Sequence, residues 1–308
     1  MYGPTDGCAP EPVVSVIVPC HGHAEVLARC LRALLRQESP KPFEIIVADS
    51  GADPAVDAVL RDFPDVIRAS ERARLFPGGA RNLGARRARG SILAFIDADC
   101  VPEPGWIAAL VEALSTAAVR VVGGPVLDAR RGSVLAATDN LLQFVDFPAE
   151  RPEGPISHLP SSNLAIRREP YWELGGMCAD FPVCEDGLFS TAAGERWPDS
   201  LWFANRMRVR HDGRATLRAF LDHQRTFGFF RGRVGSRLRR ADYQRWGRHA
   251  IFLAPIVGVR LLYIVKNLAR WNPRALRRLP AAVPALILGL AVWALAFRRG
   301  CRAAGAVS

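Results

Sequence analysis

The chain has 308 residues, 49% of them hydrophobic, and carries 41 Lys and Arg against 30 Asp and Glu, a formal net charge of +11. This length and apolar content allow one large domain or two with a buried core, and they argue against a disordered chain. The positive charge lies mainly after residue 200, where arginines alternate with long apolar stretches. This pattern favours an anionic membrane surface as the partner of the basic half and argues against nucleic acid.

The cysteines point to a reducing compartment. There are seven of them, an odd number, and no two are separated by only two residues. This spacing argues against a disulfide framework and against a cysteine zinc site. The first residues also lack the basic stretch and apolar core of a secretory signal. We therefore expect the catalytic portion to be cytoplasmic.

Predicted strands and helices alternate along the first hundred residues. After a flexible leader at 1–12, the apolar periodicity predicts a strand over 13–18 that stops at Pro19, a helix over 24–37, a strand over 43–48, a helix over 55–62, a short strand at 66–67 and a buried strand over 92–96. Parallel neighbours need crossover helices, so this alternation predicts a parallel, doubly wound sheet.

The stretch from Ser91 to Trp106 contains a buried strand that ends in two carboxylates, Asp97 and Asp99, before prolines break it. Ligands of open α/β sheets bind at the carboxyl ends of the strands, and two such carboxylates can offer hard oxygens to a divalent cation that carries a phosphate. An Asp-x-Asp turn is also common without function, so the motif needs context. The loops at 19–23 and 49–53 follow strands of the same predicted sheet, and all three features converge on one crevice.

Four motifs occur in a fixed order. They are Val-Ser-Val-Ile-Val-Pro at 14–19, Ile-Ile-Val-Ala-Asp-Ser-Gly at 45–51, Ala-Arg-Asn-Leu-Gly at 80–84 and Phe-Ile-Asp-Ala-Asp at 95–99. Their order and spacing resemble the family 2 glycosyltransferases of GT-A fold over residues 13–106, with weaker matches to about residue 232. The resemblance implies an α/β fold of the GT-A type, with a Rossmann-like, doubly wound and mostly parallel sheet. It also implies a nucleotide-sugar half over 13–123 and an acceptor half over 124–232.

The resemblance assigns a nucleotide-sugar donor to this crevice. In the family, the loop after the first strand and the Asp after the second contact the nucleotide base, which implies these roles for Pro19 and Asp49. His21 stands where a stacking aromatic is usual. An Arg beside the donor implies that Arg81 clamps the nucleotide or pyrophosphate. The glycines within 78–84 fit either a close approach to phosphate or simple turns.

The resemblance also implies a divalent metal, Mn²⁺ or Mg²⁺. The first acid of the family's Asp-x-Asp contacts ribose or metal and the second coordinates the metal, which implies these roles for Asp97 and Asp99. Cys100 stands where some members have a third acid. His211 follows a predicted strand over 201–210; a histidine there more commonly serves structure, but in the GT-A fold a histidine at this point commonly completes the metal site.

The pair Glu185 and Asp186 opens a predicted helix, where negative charge is favoured by the helix dipole. The resemblance raises this pair to the catalytic position and implies that Asp186 is the general base. An acceptor hydroxyl needs such a base, and a single base opposite the diphosphate implies inversion at the anomeric carbon. Gln224 and Arg225 lie in a helix over 215–231 that resembles the family's gating segment, and we expect them near the donor phosphate or acceptor. The full Gln-x-x-Arg-Trp motif of processive synthases is missing, which predicts transfer of a single sugar.

The last part of the chain, 233–308, is predicted to associate with a membrane. A basic belt over 231–248 is followed by an apolar stretch over 250–265 and by an uninterrupted apolar stretch over 279–297. The last stretch is long enough to cross a bilayer, which needs roughly 20 residues. The earlier one contains Arg260 and fits an interfacial helix or a second span equally well. We expect a protein of the cell membrane with a lipid-linked or glycan acceptor.

Two rival functions fit the same residues. A sugar-nucleotidyltransferase shares the doubly wound architecture and the use of Asp with a metal, but it releases pyrophosphate rather than a nucleoside diphosphate. A membrane-bound protein that binds nucleotide sugars without catalysis is the other, because Cys20, His21 and Gly22 replace the usual residues of the first loop. Release of pyrophosphate would identify the nucleotidyltransferase, and donor binding without turnover would identify the binding protein.

Overall fold

Strands and helices alternate through the first half of the chain, as the apolar periodicity predicts. The computed structural model describes residues 11–22, 24–130, 132–277 and 279–304, so the predicted leader lies almost entirely outside the described residues. The strands are β1 (Val14–Cys20), β2 (Phe43–Ser50), β3 (Ile67–Glu71), β4 (Ile92–Ile96), β5 (Cys100–Pro102), β6 (Val121–Gly123), β7 (Val126–Asp128), β8 (Gly154–Pro155), β9 (Asn163–Arg167), β10 (Leu201–Phe203) and β11 (Val209–His211).

Several helices begin where the sequence supplies a capping side chain or a proline. Asp53 accepts a hydrogen bond from Ala55 N and is followed by Pro54, and Thr216 accepts one from Ala219 N. The helices are α1 (Ala24–Leu35), α2 (Pro54–Leu60), α3 (Pro77–Arg87), α4 (Trp106–Ser115), α5 (Val134–Phe144), α6 (Arg168–Glu173), α7 (Glu185–Arg196), α8 (Leu217–Arg233), α9 (Ala241–Gly247), α10 (Leu253–Trp271, preceded by a 3₁₀ turn at Ala250–Phe252), α11 (Pro273–Leu276) and α12 (Leu279–Ala304).

Eight strands form the central sheet, in the order β3-β2-β1-β4-β9-β6-β10-β8. β1 is parallel to both β2 and β4, β2 is parallel to β3, and β6 is parallel to β10. β9 runs antiparallel to β4 and β6, and β8 antiparallel to β10. β1 and β4 are buried on both faces because helices cover both sides of the sheet. The predicted α/β class with a mostly parallel sheet is confirmed.

A second sheet of three strands, β5-β11-β7, lies beside the carboxyl end of β4. It pairs Cys100 with His211 on one side and His211 with Asp128 on the other. The prediction of one strand over 201–210 is therefore wrong. The chain forms β10 in the central sheet, turns with a hydrogen bond from Met207 N to Ala204 O, and then enters the second sheet as β11. The turn carries His211 from the sheet edge to the end of β4.

The glycines within 78–84 lie inside α3, whose first turn contains Pro77. A Cβ on Gly78 would lie 2.0 Å from the carbonyl oxygen of Cys178, and one on Gly84 would lie 2.5 Å from the side chain of Ile17. These two glycines therefore allow close packing of α3 against a loop and against β1. They lie in a helix, so the prediction that they only form turns is wrong.

The C-terminal helices pack against the catalytic part of the chain through α8. Among the described residues, two helices are long and apolar enough to cross a membrane, Ala250–Trp271 and Leu279–Ala304. α12 approaches α8 so closely that a Cβ on Gly228 would lie 2.3 Å from Trp293 O. Phe220 of α8 is fully buried in one cluster with Leu286 and Leu290 of α12. The last helix is therefore partly buried by protein on one side, while Ile287 and Leu295 remain exposed.

Candidate active site

A cavity of about 540 Å³ opens at the carboxyl ends of β1, β2 and β4, where the sequence predicts the ligand crevice. We call it the donor cavity. α3 and the start of α7 close one side, and α8 closes another. Seven of the predicted site residues line it: Pro19, His21, Arg81, Asp97, Asp99, Glu185 and Asp186.

Arg81 joins the two acidic parts of the donor cavity. It is almost fully buried, and it donates from Nη2 to Asp97 Oδ1 at 2.5 Å and from Nη1 to Glu185 Oε1 at 2.9 Å. Burial lowers the pKa of Arg81, but the charges of Asp97 and Glu185 raise it by more. The net pKa lies above the ordinary value, and the guanidinium stays charged. Arg81 thereby holds together Asp97 and Glu185, which lie 16 and 104 positions after it in the sequence. This bridge fixes the end of β4 against the start of α7.

Asp186 follows Glu185 at the first turn of α7, which begins with unusual backbone geometry. Cys184, the residue before the helix, has a φ of +74°, a left-handed conformation that is costly for a residue with a Cβ. Asp186 Oδ1 accepts a hydrogen bond from Gly187 N at 2.6 Å. Burial raises the pKa of both Glu185 and Asp186, with hydrogen bonds and the nearby arginines acting against it. A carboxylate in such a site is a better proton acceptor than one in water.

Asp99 and His211 meet at the junction of the two sheets. His211 Nε2 lies 3.6 Å from Asp99 Oδ2, and Asp212 N donates to Asp99 O at 3.0 Å. Among the described residues, no three His, Cys, Asp or Glu side chains are grouped as a protein-only metal site. Mg²⁺ in phosphate-transfer sites is usually held by one or two carboxylates together with substrate phosphates and water. Asp99, which faces the donor cavity, suits this role. His211, whose buried Nδ1 has no hydrogen-bond partner among the described residues, is the nitrogen donor beside it, whereas Asp97 is held by Arg81.

Asp49 lies at the carboxyl end of β2, as predicted, but its side chain is fully buried behind the cavity wall. Its Oδ2 accepts hydrogen bonds from Arg68 Nε at 3.1 Å and from Arg68 Nη2 at 2.5 Å. His21 lies at the rim, with Nδ1 2.6 Å from the carbonyl oxygen of Ser50. The structure therefore brings His21 into the donor cavity and leaves Asp49 paired with an arginine that the sequence analysis did not single out.

Gln224 and Arg225 lie on α8 but not on its cavity face. Gln224 is buried, and its Oε1 has no hydrogen-bond partner among the described residues. Arg225 is exposed and donates to Asp222 Oδ1 at 2.5 Å. Because α8 turns by about 100° per residue, the neighbouring His223 faces the cavity instead. The helical pattern predicted α8, but the cavity face is one residue away from the one expected.

His223 belongs to a buried polar cluster that the sequence analysis missed. Its Nδ1 lies 3.2 Å from Asp139 Oδ1, and Asp139 Oδ2 accepts a hydrogen bond from Arg214 Nη1 at 3.1 Å. Burial would raise the pKa of Asp139, but His223 and Arg214 outweigh it and lower the pKa to about 2. Burial lowers the pKa of His223. The only sequence signal was an Asp inside the apolar helix α5, 84 residues from its partner.

The fold is similar to that of known GT-A structures. A mannosyltransferase from Pyrobaculum calidifontis in complex with GDP-Man and Mn²⁺ is 19% identical, with a TM-score of 0.53 over 97% of this chain and 87% of that one. S. aureus TarS is 15% identical, with a TM-score of 0.51 over 96% of this chain and 92% of that one. At these identities the likeness establishes the fold, and it confirms the predicted GT-A class.

The family is established by sequence. The model of glycosyl transferase family 2 matches residues 15–175, and the chain belongs to this family. The match includes Asp97 and Asp99 of the donor cavity and ends before Glu185 and Asp186. Glycosyltransferase AglE from Haloferax volcanii is 34% identical over 37% of this chain and 40% of its own length. Validoxylamine A glucosyltransferase from Streptomyces hygroscopicus subsp. limoneus is 28% identical over 55% of this chain and 45% of its own length. The matched regions thus span less than half of either relative.

Proposed function

We propose that the chain is an inverting glycosyltransferase that moves a single sugar from a nucleotide-sugar donor to an acceptor hydroxyl. The observation that carries the proposal is the Arg81 bridge, which brings Asp97 at the end of β4 and Glu185 at the start of α7 into one cavity. A donor diphosphate at the strand ends and an acceptor at Asp186 would then meet within the same space. Membership of family 2 supports the same activity.

Asp99 and His211 would hold the divalent metal of this reaction. Such an ion supplies positive charge that stabilises the departing nucleoside diphosphate, so the leaving group needs no proton. Two proteins of similar fold, the mannosyltransferase in complex with GDP-Man and Mn²⁺ and GalNAc-T7 with UDP, GalNAc and Mn²⁺, support a nucleotide-sugar donor and a metal. Arg81 holds Asp97 in place beside this site. Pro19 and His21 would contact the base from the rim of the donor cavity.

Asp186 would accept the proton of the acceptor hydroxyl as its oxygen attacks the anomeric carbon. The new bond forms to that carbon, the bond to the diphosphate oxygen breaks, and attack from the opposite face inverts the configuration. Glu185 holds the start of α7 through Arg81 and Ser161 Oγ, whose distance to Glu185 Oε1 is 3.0 Å. Its role is to position Asp186 rather than to take the proton.

The acceptor would be lipid-linked, and the enzyme would act at the cytoplasmic face of a membrane. Two apolar helices and the basic belt at 231–248 support this placement, since basic residues beside an apolar helix suit the anionic leaflet. The exposed apolar residues of α10 and α12 face away from the protein core, including Leu262 at 70% exposure. The predicted domains, 13–232 for catalysis and 233–308 for the membrane, follow from the same reasoning.

The test is a donor screen followed by product analysis on the full chain in detergent. A thermal-shift panel of nucleotide sugars with Mn²⁺ or Mg²⁺ identifies the donor, because a ligand that binds the native state raises its apparent stability. We expect release of a nucleoside diphosphate when an acceptor is supplied, and loss of donor binding with a chelator. Release of pyrophosphate would instead mean a nucleotidyltransferase. Donor binding without turnover over a broad acceptor panel would mean a binding protein.

A further inference from the structure

A second cavity, of about 560 Å³, lies beside the donor cavity and shares His158 and Arg231 with it. We call it the arginine cavity, after Arg231, Arg239 and Arg240 in its wall. The body of α7 forms another part of the wall, beginning at Gly187, directly after the predicted base. Gly187 of this wall is next in sequence to Asp186, which faces the donor cavity, so a molecule in the arginine cavity would lie close to Asp186.

The wall of the arginine cavity holds three arginines and two acids, Glu195 and Asp199, so its positive charge is only partly neutralised by the protein. Arg239 donates to Glu195 Oε1 at 2.5 Å. Arg231 and Arg240 have no carboxylate within 4 Å among the residues that the structure describes, although Arg231 contacts the Cys184 thiol. The pKa of Arg240 is lowered by partial burial and then by the charge of Arg231. Two guanidinium groups that repel each other in a shared cavity would both be stabilised by an anion between them.

His158, which also lines the arginine cavity, can add a hydrogen bond but no charge. Burial lowers the pKa of His158 to about 4, and Arg231 and Arg240 act in the same direction. At neutral pH the imidazole is therefore uncharged and can donate one hydrogen bond to an anion. Phosphate suits this set better than carboxylate, because it has enough oxygens for two planar guanidinium forks and an imidazole at once.

The arginine cavity also lies next to the apolar helix α10. The hydroxyl of Tyr263 of α10 donates to Asp146 Oδ1 at 2.5 Å, and the next residue, Phe147, packs against His158 of the cavity wall with ring centroids 5.8 Å apart. Tyr263 is 49% exposed, and its neighbour Leu262 is 70% exposed. An anionic head in the cavity would thus have an uncovered apolar helix beside it, as a phosphate with a long alkyl chain requires.

We propose that the arginine cavity binds the phosphate of a lipid-linked acceptor, with Arg231 and Arg240 as its ligands and the lipid chain against α10. The acceptor role of this ligand rests on the proposed glycosyl transfer, whereas the phosphate site stands on the charges and the cavity alone. Because Arg231 lines both cavities, a phosphate bound to it would lie beside the donor cavity that contains Asp186.

The test is binding to the full chain in neutral detergent micelles, measured by microscale thermophoresis without donor or metal. The probes are hexadecyl phosphate, hexadecanol and inorganic phosphate. The variants are Arg240→Gln alone and Arg240→Gln combined with Arg231→Gln. The matched control is Arg245→Gln, because Arg245 is an exposed arginine of the same belt that pairs with Asp242. We expect hexadecyl phosphate to bind the wild-type chain and Arg245→Gln alike, and to bind Arg240→Gln about tenfold more weakly, the loss typical of a charged hydrogen bond.

Three results would overturn all or part of the proposal. Equal binding of hexadecanol means that the phosphate is not recognised, and equal weakening by Arg245→Gln means only diffuse attraction to the belt. Binding of inorganic phosphate as tightly as hexadecyl phosphate, with the same arginine dependence, keeps the phosphate site but assigns it to a soluble compound. A thermal shift with the nucleotide-sugar donor on the same samples verifies that each variant is folded. It also tests the proposed function separately, because loss of donor binding and loss of phosphate binding are measured independently.

Discussion

The donor cavity and the arginine cavity share one wall but differ in how the protein neutralises their arginines. Arg81 in the donor cavity lies between two carboxylates and is fully neutralised by the protein. Arg231 and Arg240 in the arginine cavity have no ion-pair partner among the described residues. A neutralised arginine holds the structure together, whereas arginines without a partner keep their charge for a ligand.

Asp99→Ala and Asp186→Asn should each abolish sugar transfer but should differ in donor binding. Loss of a metal ligand removes metal-dependent donor binding, whereas loss of the base leaves the donor bound and slows transfer by about 10²-fold to 10⁴-fold. Thermal shift with nucleotide sugar and Mn²⁺ measures binding, and released nucleoside diphosphate measures turnover. Asp62→Asn, a change of an exposed acid, is the matched control. Full turnover by Asp186→Asn would remove the assignment of the base.

Arg81→Met should destabilise the fold strongly, while Arg240→Met should not. Removal of Arg81 leaves Glu185 and Asp97 without their cation in a buried site, which typically costs about 3–5 kcal/mol. Removal of Arg240 relieves repulsion with Arg231 and should change stability by less than about 0.5 kcal/mol, as for most surface changes. The measurement is the free energy of unfolding by denaturant, with Arg87→Met on the exposed face of α3 as control. Equal losses for Arg81→Met and Arg240→Met would contradict the comparison.

The donor half of the site could be predicted because its signals are local in sequence. Asp97 and Asp99 directly follow an apolar run, and the sheet topology then fixes where they lie. The pairing of Asp49 with Arg68 could not be predicted in this way. The two residues lie 19 positions apart on neighbouring strands, and only the register of β2 and β3 brings them together. The family motif gives Asp49 a role without revealing the arginine beside it.

The C-terminal half was harder to predict because its contacts join distant helices. Hydropathy identified both apolar stretches, but a helix that crosses a membrane and one that packs on protein have the same hydropathy. The packing of α12 on α8 depends on glycines that let the two backbones approach, and no local pattern pairs them. The face of α8 that lines the cavity was misplaced by one residue for the same reason, since only packing fixes the rotation of a helix.

Gly300→Ala should separate α12 from α8 and so disturb the helix that carries Arg231. A Cβ at position 300 would lie 1.8 Å from the carbonyl oxygen of Phe229, so one backbone must move, and overpacking of this kind typically costs about 1–3 kcal/mol. Gly258→Ala on α10 is the control, because a Cβ there meets no described atom within 4 Å and alanine favours a helix. Thermal unfolding in detergent gives both values. Unchanged stability of Gly300→Ala would mean that α12 is not held by α8.

His158, in the wall that both cavities share, should make stability depend on pH in a defined direction. Burial lowers its pKa to about 4 in the folded chain, below the ordinary value of 6.5, so the unfolded chain binds the proton more readily. The stability is fully present above pH 6.5 and falls as the pH decreases toward 4, by about 1 kcal/mol between pH 8 and pH 6. Unfolding by denaturant at both pH values measures this loss, and His158→Gln should reduce it. An anion in the arginine cavity would stabilise the charged imidazole, so hexadecyl phosphate should also reduce the loss in the wild-type chain but not in Arg240→Gln.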